Sequence, residues 1–284
     1  MAILDFILSS LQYLLPHHLL SRLVHWFMRI PIEPVKNLQI WIVGWLTGVN
    51  WEEARSPRAV DYPDFNAFFT RELKSGARPL DPDPSSFTSP SDGRISQCGR
   101  ITNDRILQAK GHSYSMRSLL ANDLAAREFT SGFFYTIYLS PRDYHRVHMP
   151  MDGTLQRMIH VPGRLFSVAR YSVRQVPNLF ARNERVISVF DTSHGALAVI
   201  MVGAMLVSSM ETVWAGTITP PRGRRVTTGD WSRRNISLKK GDEMGRFNMG
   251  STVILLLPAA AVSSLTELGP DDSVLMGQKL CRLR

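Results

Sequence analysis

Along the first fifty residues the apolar positions repeat at helical spacing. Ile3, Phe6, Ile7, Leu11, Leu14 and Leu15 fall on one helical face, and so do Leu19, Leu20, Leu23, Trp26 and Phe27. A third stretch, Leu38 to Leu46, is apolar nearly all round. Pro16, Pro31 and Pro34 punctuate these segments, so the pattern predicts three short helices with breaks between them. A further helix is expected from Tyr62 to Leu73, with Phe65, Phe68, Phe69 and Leu73 on one face. The proline-broken stretch Arg78 to Pro84 then reads as a linker into the main domain. Beyond it the texture changes to short apolar runs between turn residues: Phe133–Leu139, Val186–Phe190, Ala196–Val202, Met205–Val207 and Val253–Leu257. Helical signal persists only near Met116–Phe129, and no internal repeat is visible. The expected class is α+β, with helices first and a mostly antiparallel β core after them. The expected division is a helical region over 1–75 and a β-rich domain over 76–284.

Four of the six tryptophans, Trp26, Trp41, Trp45 and Trp51, crowd the helical region. Tryptophan is favoured where one side is oily and the other wet. The region therefore reads either as an appendage lying in a membrane interface or as a helical subdomain packed on the core. The charge-free stretches Phe6–Ser21 and Asn37–Trp51 both fall short of the ~20 residues that cross a bilayer. The opening residues lack a basic segment, and the first arginine is Arg22, so neither a secretory signal nor a mitochondrial transit peptide is expected.

Composition narrows the class without changing it. With 284 residues, 44% apolar and 20% charged, the chain is globular rather than disordered. Two cysteines, Cys98 and Cys281, give neither a disulfide framework nor zinc-ligand spacing, and a reducing compartment fits. The net charge is +9, and residues 217–240 hold most of it: Arg222, Arg224, Arg225, Arg233, Arg234, Lys239 and Lys240 against Asp230. Such a stretch reads as a solvated basic loop or as an attractor for a polyanion, either nucleic acid or an anionic lipid surface.

Three places combine reactive side chains with turn chemistry. Ser89-Pro90-Ser91-Asp92-Gly93 presents an aspartate just before a strand, although Asp-Gly alone is ordinary turn punctuation. Leu139 through Pro150 holds His145 and His148, three apart after a β run. No His-Glu-x-x-His pattern accompanies them, so metal binding is not expected, and each histidine is free to move protons separately. In Phe247-Asn248-Met249-Gly250-Ser251-Thr252 a Gly-Ser pair opens an uninterrupted apolar run. Glycine permits backbone conformations that other residues resist, so the peptide before Ser251 is a place where strain can be held. With a base nearby, the serine hydroxyl can attack the preceding carbonyl and shift the chain from amide to ester. The absence of Gly-x-Ser-x-Gly disfavours an α/β-hydrolase.

Taken together, these residues resemble the phosphatidylserine decarboxylases, particularly the bacterial membrane-associated type. The resemblance rests on Pro90–Gly93, Gln108-Ala109-Lys110-Gly111-His112, Leu139–Pro150, Val176–Arg185, Glu211–Gly216 and Glu243–Phe247. It ends at the family's processing motif, here Gly250-Ser251-Thr252, and the blocks run in order over about residues 60–258. Met249 stands where the motif usually begins with leucine, a swap that keeps size and apolarity. The arginine-rich stretch around Arg222–Arg234 looks less family-like.

The resemblance implies a proenzyme that works in two acts. In the first, Asp92, His148 and Ser251 form a charge-relay triad, His148 takes the hydroxyl proton and Ser251 attacks the Gly250 carbonyl. The ester eliminates, the chain parts into a large piece (1–250) and a small one (251–284), and Ser251 is left as an N-terminal pyruvoyl group. The two pieces stay together as a heterodimer, with room for a higher homo-oligomer. In the second act that covalent cofactor forms a Schiff base with phosphatidylserine, CO2 leaves, and His145 protonates the carbanion to give phosphatidylethanolamine. His112 is expected to help hold the head group, and neither a metal nor pyridoxal phosphate is implied. The resemblance also favours interfacial helices over residues 1–50, peripheral attachment on the cytoplasmic side of the cell membrane, and an anionic leaflet rather than nucleic acid as the polyanion. Two other readings carry distinct signatures: a non-processed phosphatidylserine-binding protein of the same fold, and a serine hydrolase acting on an external ester.

Overall fold

The computed structural model describes residues 2–109, 111–206, 209–219, 225–249 and 251–284, the side chains of Ala2, Ile3 and Ser251 excepted. Lys110, Val207, Arg222, Arg224 and Gly250, which figure in the sequence reading, lie outside the described residues.

Helices α1 (Ala2–Leu11), α2 (His17–Phe27) and α3 (Glu33–Thr47) open the chain. Pro34, expected to fall in a break between helices, sits instead in the first turn of α3, where a missing N–H costs nothing. The expected helix over 62–73 shrinks to α4 (Phe65–Phe69), capped by the Asp64 side chain on the Ala67 N–H. Likewise the 116–129 segment is only α5 (Met116–Leu119) and a 3-10 turn at Leu124–Arg127. Ala121 and Asn122 between them have positive φ, which ends the helix.

The first three helices are built inside out. Their polar side chains Ser9, Gln12, His17, Ser21 and Lys36 are buried, whereas Phe6, Leu23, Trp26, Trp41, Trp45 and Leu46 are exposed. Hydrogen bonds fix this orientation. Gln12 donates to Ser172 Oγ and accepts from the Ser167 N–H, and a His17 ring nitrogen accepts from the Leu165 N–H. α1, the turn at Gln12 and the start of α2 therefore clamp onto residues 163–175, including α6 (Arg170–Gln175), with their polar edges, whereas α3 packs on α4 through buried Ile40. Most of their other apolar side chains point to solvent, although Val24, Ile40 and Val43 pack against the Phe65–Phe69 cluster.

The main body is a twisted sheet whose named strands all pair antiparallel. Its principal strands are β1 (Gly93–Arg100), β2 (Phe133–Leu139), β4 (Gly153–Val161), β5 (Arg185–Thr192), β6 (Gly195–Val202) and β9 (Ser251–Leu257), in the spatial order β4-β5-β6-β9-β2-β1. A second sheet carries β3 (Arg146–His148), β7 (Ser209–Thr212) and β8 (Glu243–Asn248), with β8 in the middle. The expected run at Met205–Val207 is not strand at its described residues, since Leu206 has φ +70° in a turn ahead of β7.

Strand β9 explains its own composition. It lies between β2 and β6, and its side chains enter two cores: Ile254 and Leu256 one, Val253, Leu255 and Leu257 the other. A strand covered on both faces must be apolar at every position rather than at every second one. Its first residue, Ser251, pairs with Leu139 at the last residue of β2, so the Gly-Ser junction sits at one end of the sheet.

Candidate active site

The end of the sheet at Ser251 gathers the residues singled out in the sequence. Gly93, after Asp92, lies so close to β2 that a Cβ there would stand 2.4 Å from the Tyr138 carbonyl oxygen. Only glycine allows that approach, and it draws the Asp92 turn against the strand that pairs with Ser251. His148 is tied to the same turn by its own N–H, which donates to the Pro90 carbonyl at 2.7 Å. The Phe247 N–H donates to the His145 carbonyl at 3.0 Å, setting that histidine beside the chain leading into Ser251.

Asp92, His145 and His148 are thus neighbours, but their side-chain bonds go elsewhere. Asp92 is buried and accepts from Arg78 through Nε (2.8 and 3.0 Å) and Nη2 (2.6 Å), and from the Met276 N–H at 2.9 Å. Burial opposes the charge on Arg78, yet its bonds to Asp92 and Glu53 outweigh that and raise its pKa. No Asp92–His148 hydrogen bond forms among the described residues.

His148 is instead held by Gly241 and Tyr144. The Gly241 carbonyl lies 2.7 Å from Nδ1, and a carbonyl only accepts, so Nδ1 carries the proton. In the neutral ring Nε2 is then an acceptor, 3.0 Å from the Tyr144 hydroxyl. Burial lowers the His148 pKa, with the Gly241 carbonyl and the charges of Glu243 and Asp92 partly offsetting it. Burial also pushes the Tyr144 phenol up to about 12, so it stays a donor at neutral pH. His148 Nε2 is accordingly a neutral base with its lone pair already engaged by an O–H.

His145 sits in a drier place. It is fully buried, its ring centroid is 4.0 Å from that of Phe69, and among the described residues neither ring nitrogen meets a hydrogen-bond partner at good geometry. Burial, together with the charge of Arg71, lowers its pKa to about 3. Arg71 is itself buried, spends one nitrogen on the Arg142 carbonyl, and has no partner for Nε and Nη1 among the described residues. Phe69 also walls a cavity of about 160 Å³ with Leu139, Pro141, Val168, Leu206 and Met249.

The backbone is held in an unfavourable conformation just before the Gly-Ser junction. Met249 has φ +88°, a region costing a side-chain-bearing residue roughly 1–3 kcal/mol unless its surroundings enforce it. They do so from both sides. Met249 packs partly buried against the cluster of Phe65, Phe68 and Phe69, and the preceding Asn248 donates to Ser209 Oγ and to Glu211 Oε1.

His112 does not join this group through any hydrogen bond. It begins the strand His112–Ser115 and pairs with Ala109. Ala109 and Gln108 line a separate cavity of about 190 Å³ with Arg94, Tyr138 and Arg170. The described part of the basic stretch is also more committed than its charge suggests. Lys239 pairs with Asp152, Lys240 donates to the carbonyls of Asp81 and Asp83, and Arg234 lies over Trp231.

Sequence reasoning missed Arg78, Tyr144, Gly241 and Arg71. Tyr144 lies within the Leu139–Pro150 segment, and its spacing of four from His148 was the available signal. Arg78 was absorbed into a linker, and only the folded chain brings it to Asp92.

The sequence pattern of the family described as phosphatidylserine decarboxylase matches residues 65–282, and a pattern described as PSD matches residues 7–43. The phosphatidylserine decarboxylase proenzyme of Alkalilimnicola ehrlichii is 56% identical over 255 residues, covering 89% of this chain and 88% of the relative. That of Stutzerimonas stutzeri is 52% identical over 273 residues, covering 95% and 92%. That of Xylella fastidiosa is 50% identical over 272 residues, covering 96% and 93%. With the family pattern spanning both sheets and relatives of this similarity matching nearly end to end, the chain belongs to the phosphatidylserine decarboxylase family.

Proposed function

We propose that this chain is a phosphatidylserine decarboxylase proenzyme that cleaves itself between Gly250 and Ser251 and works through a pyruvoyl group derived from Ser251. The observation that carries the reading is the left-handed Met249 directly ahead of a Gly-Ser junction, at a sheet end where buried His148 and His145 converge.

His148 is the base for cleavage. Its Nε2 takes the Ser251 hydroxyl proton, directly or through Tyr144, while the Gly241 carbonyl fixes the tautomer. Asp92 contributes its charge through space to the imidazolium, with Arg78 and Met276 keeping the carboxylate in place. Ser251 Oγ bonds to the Gly250 carbonyl carbon as the peptide C–N bond breaks, giving an ester with a free amine. Loss of the Ser251 α-proton expels the Gly250 carboxylate and leaves a dehydroalanine. Its imine tautomer takes up water and releases ammonia.

The residues present suit the group so formed. It would open a strand walled on both sides, beside an apolar cavity and a buried histidine whose ring nitrogens await a partner. Once formed, the pyruvoyl group would supply a carbonyl for the substrate amine and a sink for the electrons released with CO2. His145 is the proton carrier for turnover. Burial first, and the charge of Arg71 second, hold it neutral, and the polar groups of a bound substrate would ease that burial cost. Strand β9 begins the small chain and lies between β2 and β6 of the large one, so the two chains would remain a heterodimer without the peptide bond.

The exposed apolar faces of α1–α3 support docking on a bilayer surface, the cytoplasmic face of the cell membrane, and so do the exposed Trp41 and Trp45. No described helix is long and apolar enough to cross a membrane. The test is Ser251→Ala alongside the wild-type chain, assayed for CO2 release from phosphatidylserine vesicles. The expected result is activity with the wild type and none with an uncleaved variant. Equal release by both would refute the reading, and vesicle binding without release by either would favour the non-processed binding protein.

A further inference from the structure

The proposed site adjoins a second space of opposite character. Next to the apolar cavity at Met249 lies a cavity of about 740 Å³ that shares Tyr138 and Ala169 with it. Arg94, Arg142, Arg170 and Arg174 line this larger space, together with Asp92 and Ser140, which follows the Ser251 partner Leu139. Most of its carboxylates are already committed. Asp92 is bound by Arg78, and Asp5 takes Arg174 at 2.7 Å. Asp143 accepts from the Ser140 N–H and hydroxyl and lies 3.8 Å from the exposed Arg142, a loose pair that an incoming anion would compete with. Arg170 is paired with Asp271. Arg94, half-buried as the second residue of β1, has no carboxylate within ion-pair distance among the described residues, although it lines both this cavity and the smaller one at Gln108. An exposed guanidinium finds partners in water, but one set in a concave wall beside a reaction centre is arranged to meet an anion.

We propose that Arg94, supported by Arg142, binds the phosphodiester of the substrate head group, an assignment that rests on the decarboxylase reading and deepens it. The substrate carries two anions, and chemistry says which belongs here. An arginine on the carboxylate would stabilise the charge that must vanish as CO2 leaves and would slow the reaction. The phosphodiester keeps its charge throughout, so holding it tightly lowers the cost of binding without raising the barrier. One oxygen and one carbon separate phosphorus from the amine-bearing carbon, a link short enough to span neighbouring cavities. The carboxylate then falls toward the apolar cavity at Leu139 and Met249, where loss of charge is favoured. The arginine cavity also opens where a lipid would arrive: Asp5 of α1 lines it, and Leu4, Phe6, Ile7 and Leu8 on the same helix are exposed.

Arg94→Gln and Arg94→Lys, with self-cleavage verified on a gel, test this using short-chain phosphatidylserine below its micelle threshold. The control substrate is an O-acylserine of matching chain length, which keeps the amine and carboxylate but lacks phosphate. Arg94→Gln should raise KM for phosphatidylserine about tenfold to a hundredfold with kcat within about threefold, as for loss of a charge-assisted bond. Arg94→Lys should recover part of the loss, and KM for the O-acylserine should not move. An unchanged KM for phosphatidylserine, or equal rises for both substrates, would overturn the assignment. If Arg94→Gln does not self-cleave, inhibition of the wild-type enzyme decides. Glycerophosphoethanolamine should compete with substrate at least tenfold better than ethanolamine, and equal inhibition would overturn the proposal. A wild-type chain releasing no CO2 would instead refute the decarboxylase reading. Calorimetric binding of the same lipid should then still weaken about tenfold or more in Arg94→Gln, and unchanged binding would reject the phosphate site.

Discussion

Breaking the Arg78–Asp92 pair has a consequence that the geometry sizes. Both side chains are nearly closed to water, at 8% and 5% exposure, and three contacts of 2.6–3.0 Å join them. Replacing Arg78 with Met strands a buried carboxylate on the single N–H of Met276, a loss of about 3–5 kcal/mol by comparison with other broken buried pairs. Asp92→Asn should cost less, about 1–3 kcal/mol, because Arg78 keeps Glu53 at 2.7 Å. The double variant removes the stranded charge, so it should be more stable than the sum of the single losses by about 2 kcal/mol. The assay is urea unfolding of all four chains in a Ser251→Ala background, which keeps each as one piece, read at constant m-value. If the losses add to within about 0.5 kcal/mol, the two side chains do not depend on each other, and the description of Asp92 as held by Arg78 is wrong.

Three further outcomes follow from the same coordinates. His145 has its pKa lowered to about 3 by burial and Arg71, so the unfolded chain binds a proton there that the folded chain refuses as pH falls below 6.5. Its contribution is therefore neutral above that pH and increasingly destabilising down to about pH 3. At pH 4.5 it amounts to at most about 3 kcal/mol, and His145→Leu should flatten the pH dependence of the urea midpoint; an unchanged slope would count against it. At Met249, with φ +88°, Gly should be better tolerated than Ala by about 1 kcal/mol in the uncleavable background, reversing the usual order. Ala equal to or better than Gly would mean that the left-handed conformation is not enforced. Trp45→Ser with Leu46→Ser removes two side chains that are 72% and 66% exposed, so folding should be nearly unaffected. Sedimentation with phosphatidylserine vesicles should weaken at least tenfold, and unchanged sedimentation would exclude α3 from the membrane contact.

The sequence was most legible where one physical demand dominated. The apolar run Val253–Leu257 declared a strand buried on both faces, and the alternation of short runs with turns declared an antiparallel core. The early helices were legible from spacing, but the direction of their apolar faces was not. Periodicity locates a stripe without saying whether protein or solvent meets it, and here the polar stripe carrying Gln12 and His17 faces inward. The 62–73 helix was over-read because Phe65, Phe68 and Phe69 fit helical spacing while Thr70 and Arg71 already leave it. At the site, the reactive residues were visible as types, whereas their partners were not. Arg78 reaches Asp92 with its guanidinium only once the chain has folded, and Met276 and Gly241 reach Asp92 and His148 through a main-chain amide and carbonyl, for which local sequence carries no signature. Gly241 in particular acts through its carbonyl, an atom that every residue possesses.

Intact-mass measurement of the purified chain bears most directly on the central claim. Self-conversion at Gly250–Ser251 predicts two species, residues 1–250 and 251–284, with the smaller lighter by one ammonia than a serine-initiated chain and resistant to amino-terminal sequencing. A single full-length mass from protein that releases CO2 from phosphatidylserine, or a small chain beginning with intact serine in such protein, would contradict it.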